Sequence, residues 1–233
     1  MTYPLDSRSM VVTGGFGVLG RAVAARLIAD GARVTLLDRA ATPADGLPEG
    51  VALARGEVDL SDEAACVAAM QQVIDQVGGI DGLVNVAGGF TWETLEGGAL
   101  ASWDRMYAMN VRTAVACSRA VLPHLQARGA GRIVNVGALA ALKAGAGMGA
   151  YAASKSAVAR LTEALAEELK QSGITVNAVL PSILDTPANR ADMPAADPVL
   201  WVAPEKLAAV IAFLLSDDAS AVTGACVPVS GRV

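Results

Sequence analysis

The chain has 233 residues, 53% of them hydrophobic, with 18 Lys and Arg against 23 Asp and Glu for a formal net charge of −5. That length suits one α/β domain spanning residues 1–233, no composition break marks a second, and the acidic balance argues against a nucleic-acid partner. No run of about 18 apolar residues occurs, and the opening MTYPLDSRSM lacks the basic-then-apolar pattern of a secretory signal, so no membrane partner and a cytoplasmic location are expected.

In chain order, the apolar run Met10–Val12 precedes a glycine cluster and an amphipathic stretch from about Val18 to Asp30, which predicts strand, turn and helix. Gly31 ends that helix, Arg33–Leu37 is a second strand, and Asp38 stands at its C-terminal end, completing a βαβ unit. The alternation continues with a strand at Val51–Val58, a helix over Ser61–Val77 capped by Ser61, and a strand at Gly82–Val86. A long helical region follows from about Ala101 to Ala127, then a strand at Arg132–Val136, a helix from about Ala150 to Gln171 and a strand at Thr175–Val179. A helix over Pro204–Leu215 and a strand at Ala225–Val229 close the chain. Strands alternating with helices predict a doubly wound, seven-stranded parallel sheet of the Rossmann type with helices on both faces and ligands at the carboxyl ends of the strands. Pro181–Ala203 is too long and irregular for an ordinary connection and reads as a substrate lid.

Three cysteines, Cys66, Cys117 and Cys226, are odd in number and far apart, which suits packed, reduced thiols. The single histidine, His124, has no Cys or carboxylate spacing around it, so no metal site is expected and it reads as a surface residue.

The run TGGFGVLG from Thr13 to Gly20 sets Gly15, Gly17 and Gly20 at glycine positions of G-x-G-x-x-G between a strand and a helix. Together with Gly14 they permit a tight turn and close approach of a pyrophosphate to the backbone, while the amides of the first helical turn, near Val18 and Leu19, favour its charge. Asp38, eighteen residues beyond Gly20, has the spacing of a carboxylate that bonds an adenosine ribose, which favours NAD over NADP, although Arg39 beside it leaves NADP open. Asp59 and Leu60 are placed to face the adenine, and Asn85, Ala87 and Gly88 to line the other half of the cofactor. Tyr151 and Lys155 lie four apart in the helical pattern Y-A-A-S-K, on one face. A free phenol near pKa ~10 is a poor acid or base at neutral pH, and a neighbouring ammonium brings it toward the working range.

These motifs, with Asn110, Pro181 and Thr186, appear in an order that resembles the short-chain dehydrogenase/reductases over essentially the whole chain. The resemblance implies Tyr151 as proton donor, Lys155 as its assistant and ligand of the nicotinamide ribose, Asn110 as holder of a water relay, and Pro181, Leu184 and Thr186 beside the nicotinamide. It also implies a homodimer or homotetramer, to which small residues at Val111–Ala120 and Ala152–Ala166 give closely packing helices.

Three positions depart from the family pattern: Val18 stands where glycine is usual, Ser182 where glycine commonly follows the proline, and Ala138 where a serine normally lies thirteen residues before the tyrosine. The missing serine hydroxyl is a donor to a developing oxyanion, a contact worth about 2.7–4 kcal/mol of barrier. The stretches around Val86–Phe90, Gly137–Tyr151 and Leu184–Trp201 resemble the quinonoid dihydropteridine reductases within the same family, which also carry alanine there. This points to hydride transfer from NADH to a quinonoid dihydropterin or similar flat conjugated ring, with Phe90 and Trp92 offering apolar faces and Asn189 and Arg190 ordering the lid or meeting polar substituents. The alternative is a carbonyl or alcohol dehydrogenase of the 3-oxoacyl or hydroxysteroid kind that tolerates Ala138. A nucleotide-binding protein without turnover is a third reading, weakened by the joint presence of Asn110, Tyr151 and Lys155.

Overall fold

Each central strand alternates its apolar side chains between two faces, and that alternation builds two cores. Met10 and Val12 of β1, Val84 of β4 and Val134 of β5 point to one side, while Val11, Leu83 and Ile133 point to the other. The computed structural model describes residues 4–233. Its seven strands are β1 (Ser9–Thr13), β2 (Arg33–Leu37), β3 (Val51–Arg55), β4 (Gly82–Asn85), β5 (Gly131–Val136), β6 (Ile174–Pro181) and β7 (Cys226–Val229). They form one parallel sheet in the order β3-β2-β1-β4-β5-β6-β7, the doubly wound arrangement expected.

Helices α1 (Val18–Ala29) and α7 (Pro204–Leu215) cover the first face through Val23, Leu27, Leu207 and Ile211. Helices α2 (Glu63–Val77), α4 (Thr113–Arg128) and α5 (Gly149–Glu168) cover the second through Met70, Val73, Val121, Leu125 and Leu165. With both faces covered, strands buried along their length are the stable solution. Chain direction along the sheet reverses between β1 and β4, so the carboxyl ends of these two strands open a crevice.

Four local expectations are corrected. The third strand ends at Arg55 rather than Val58, because Gly56 passes so close to Ala40 that a Cβ there would lie 2.4 Å from its carbonyl oxygen, and Glu57 turns with φ 58°. Asp62, not Ser61, caps α2 by accepting the Ala65 amide at 2.8 Å. The expected helix from Ala101 to Ala127 is two, α3 (Leu100–Tyr107) and α4, joined by a π turn over Ala108–Arg112. His124 is half-buried rather than on the open surface: its Nε2 accepts the Ile80 amide at 3.0 Å and fixes the entrance to β4.

Cys66 of α2 and Cys117 of α4 are fully buried with their Sγ atoms 3.7 Å apart, whereas Cys226 on the edge strand is half-buried. Among the described residues no helix is long and apolar enough to cross a membrane, and no group of three or more His, Cys, Asp or Glu side chains is placed to hold a metal.

Candidate active site

A cleft of about 560 Å³ lies over the carboxyl ends of β1 and β4. Gly14, Gly17 and Gly20 line one wall and Val86, Ala87 and Gly88 another. Gly14 adopts φ 63°, and a Cβ on it would stand 2.9 Å from the Ala87 backbone, so the β1 and β4 loops meet only because a side chain is lacking. A Cβ on Gly20 would lie 2.2 Å from the Gly14 carbonyl oxygen, which makes this glycine the one that lets α1 start against the loop. Gly15 lies behind the cleft wall, its amide bonded to the Leu37 carbonyl and its Cα against Leu36. Thr13 links the two strand ends, its Oγ1 accepting the Val86 and Ala87 amides at 3.1 and 3.2 Å. Val18, where glycine is usual, leaves its side chain half exposed and crowds nothing in the turn, while Leu19 is buried in the first core.

At the adenine end Asp38 and Arg39 line the cleft with Asp59, Leu60 and Ser61. Asp38 Oδ2 accepts the Phe16 amide and Oδ1 the Ala40 amide, each at 3.0 Å, so the carboxylate is held in place at the tip of β2. The Ser61 hydroxyl and amide donate to Asp59 at 2.7 and 2.9 Å and hold its carboxyl below the usual carboxylate range. Asn85 stands apart from the cleft lining. It is buried, and its Nδ2 donates to Asn135 Oδ1 at 2.8 Å and Ser118 Oγ at 3.2 Å, directing the side chain into the helix-covered interior instead of along the cofactor path.

Tyr151 and Lys155 come together on α5, Lys155 Nζ reaching toward Gly88 of the cleft wall. The Phe90 ring meets the Tyr151 ring edge to face, centroids 4.9 Å apart at 84°. Lys155 Nζ lies 6.0 Å from the Tyr151 centroid and donates to the Val136 carbonyl at 2.8 Å. Burial dominates both groups: it pushes the Tyr151 phenol up to about 12 and brings the Lys155 ammonium down to about 8. The sequence expectation that the ammonium lowers the phenol is therefore reversed, because desolvation outweighs a charge directed at a carbonyl. Asn110 sits in the π turn, a distortion frequent at functional sites, with its Oδ1 accepting the Gly89 amide at 2.9 Å and its Nδ2 donating to the Gly89 carbonyl at 3.1 Å and Ser154 Oγ at 2.9 Å.

Ala138 is buried at the end of β5 and offers only a methyl group. The Ser182 hydroxyl donates to the Ser230 carbonyl at 2.6 Å, which gives this departure a structural use at the root of the lid. The segment 181–203, read from the sequence as a lid, is more ordered than its composition suggests: it holds α6 (Pro187–Asp192), capped by Thr186, and a parallel bridge between Leu184 and Val202. Pro181 is buried as the last residue of β6. The Asn189 amide donates to the Leu184 carbonyl at 2.8 Å, and Arg190 pairs with both oxygens of Asp185 at 2.6 and 2.8 Å, so both side chains bond within this segment. Trp92 is 61% exposed, and its indole covers Gly147, leaving no room for a Cβ there.

Sequence reasoning missed Arg105, Met109 and Thr113, which line the cleft at four-residue intervals across the π turn, and it missed Ser154. The four-residue stripe was the available signal for the first three; nothing in the pattern marked the serine.

A glycine-lined cleft at the switch point of a parallel sheet, with an acidic residue at the tip of β2, defines a dinucleotide-binding protein. The family model for short chain dehydrogenases matches residues 8–196. The chain belongs to the short-chain dehydrogenases, a family of NAD(P)-dependent oxidoreductases. It is 37% identical over 246 residues to a 2-(R)-hydroxypropyl-CoM dehydrogenase of Xanthobacter autotrophicus, covering 97% of this chain and 98% of that protein. It is 36% identical over 238 residues to a meso-2,3-butanediol dehydrogenase of Serratia marcescens, covering 97% and 94%. Among solved structures, NAD+-bound xylitol dehydrogenase matches with a TM-score of 0.85 at 27% identity, over 97% of this chain and 99% of the other.

Proposed function

We propose that this chain moves a hydride between a nicotinamide dinucleotide, NADH in preference to NADPH, and a ketone or its secondary alcohol, with Tyr151 as the proton donor in reduction. The observation that carries the reading is the half-buried Tyr151 phenol, set edge to face against Phe90 with Lys155 Nζ 6.0 Å from its ring. The names of the relatives, which act at hydroxyl-bearing carbons, support the substrate class.

The residues present fit the dinucleotide. Gly14, Gly17 and Gly20 leave the backbone free of side chains where a pyrophosphate needs close approach, and Gly88 keeps the far wall low. Asp38, fixed by two amides, disfavours a 2′-phosphate by charge and favours a ribose diol as its donor. On this reading Asp59 and Leu60 bound the adenine end, and the family pattern assigns Pro181, Leu184 and Thr186 to the nicotinamide half. When bound, the dinucleotide supplies or accepts the hydride. Tyr151 is a neutral phenol at physiological pH and so holds the proton that a reduced oxygen requires, while the positive charge of Lys155 offsets the phenolate left behind. Asn110 fixes the Gly89 backbone beneath both.

A second reading is favoured by Ala138. Lacking a hydroxyl donor, the site suits a quinonoid dihydropterin or similar ring, in which developing charge spreads over a conjugated system, with Phe90 and Trp92 as apolar walls. The test is NADH oxidation with a panel of ketones and aldehydes beside chemically generated quinonoid dihydropterin, Tyr151→Phe serving as control. Tyrosine-dependent turnover of carbonyls, raised about 10²–10³-fold by Ala138→Ser, is expected. Turnover confined to the pterin selects the second reading, and activity that survives Tyr151→Phe sinks both.

A further inference from the structure

We propose that Ser154 is a positioning residue that sets the spacing between the Gly88–Phe90 wall of the cleft and the Tyr151 phenol. The inference rests on the reading of Tyr151 as proton donor.

The two halves of the site belong to different elements. Tyr151 and Lys155 ride on α5, whereas Gly88, Gly89 and Phe90 follow β4. Asn110, from the π turn, grips the second half through both the amide and the carbonyl of Gly89. Its remaining Nδ2 hydrogen goes to Ser154 Oγ at 2.9 Å, and the Ser154 hydroxyl donates onward to the Tyr151 carbonyl at 2.7 Å. The two short Nδ2 bonds, with Oδ1 taken by the Gly89 amide, fix the orientation of the Asn110 amide. Asn110 is 2% exposed and Ser154 4%, so both partners of this bond lie away from bulk solvent.

The spacing is tight. A Cβ on Gly88 would lie 2.5 Å from Asn110 Oδ1 and 3.4 Å from Lys155 Nζ, so loop, asparagine and lysine are already at contact. Among the described residues, Ser154 is the one side chain of the tyrosine's own helix that hydrogen-bonds the asparagine. With alanine there, an Asn110 Nδ2 hydrogen loses its acceptor in a buried place, the nearest alternative being the Met106 sulfur at 3.9 Å, and the amide is free to turn. The Phe90 wall then loses its register against Tyr151, and small misplacements of reacting groups are costly in rate.

The test compares Ser154→Ala with Ser154→Thr, since threonine keeps a hydroxyl able to bond the carbonyl three or four residues back in a helix. Ser154→Ala is expected to lower kcat by about 10–100-fold with the dissociation constant for NADH changed less than about twofold. The primary isotope effect with 4-deuterated NADH is expected to rise as hydride transfer becomes limiting, and Ser154→Thr to recover most of the rate. If the alanine variant is too unstable to assay, Ser154→Val against Ser154→Thr repeats the comparison at equal volume, hydroxyl against methyl. An unchanged kcat and isotope effect in Ser154→Ala overturns the proposal, as does an equal loss in the threonine variant. Turnover retained by Tyr151→Phe refutes the underlying reading instead and is seen separately.

Discussion

Burial acts on Tyr151 and Lys155 in opposite senses because one is neutral and the other charged when protonated. The phenol, raised to about 12, keeps its proton throughout the usual assay range, while the lysine, lowered to about 8, loses its charge within it. Reduction needs both groups protonated. The kcat/KM for NADH, which reports the free enzyme, is therefore expected to hold below pH 8 and fall about tenfold per unit above it, with Lys155→Met removing the inflection. Oxidation starts from the phenolate beside the charged lysine, so it is expected to rise with pH up to about 8 and to level off above it. A reductive profile flat to pH 10 contradicts this assignment. Much of this pair was legible in the sequence, because Tyr151 and Lys155 share a helix and their relation is set by its pitch. Asn85 was not, since a strand residue shows one of two faces and its neighbours decide which; here Asn135 and Ser118 draw it inward. For Asn189 and Arg190 the sequence left two roles open, and local carbonyl and carboxylate partners occupy both side chains within the segment.

Among elements, the π turn between α3 and α4 carries most of what periodicity alone concealed. One extra residue per turn leaves the apolar spacing readable on either side, so Ala101–Ala127 looks continuous, yet it reorients Asn110 toward Gly89. Helix α5 shows the opposite case. Several of its small residues, Ala152, Ser154, Ala159 and Ala166, are spent on the core. An outer stripe remains in Ala153, Ala157 and Ala164, exposed or half-buried along one side. If a second α5 packs on that stripe, a dimer or tetramer is expected in solution, shifted to smaller species by Ala157→Arg. Light scattering that gives one chain per particle at micromolar concentration refutes it.

At the scale of the whole molecule, the sheet was the most legible feature, because strands buried on both faces read as unbroken apolar runs and parallel order demands the intervening helices. What the pattern withheld was depth. The same sheet that places the cleft at one edge hides Cys66 and Cys117 completely, yet leaves Cys226 half-buried on its last strand. The three thiols thus form a clock with one fast hand and two slow ones. A maleimide is expected to label Cys226 first, and the other pair only when α2 and α4 part from the sheet, at a rate scaled by the population of that opened form. Leu60, whose carbonyl accepts from the Cys66 thiol at 3.3 Å, also lines the cofactor cleft, so a dinucleotide that needs the closed form should stop the slow hands without touching the fast one. At 100 times its dissociation constant the slowing is expected to be about 100-fold, and equal labelling of all three thiols with or without dinucleotide would show that the clock does not run.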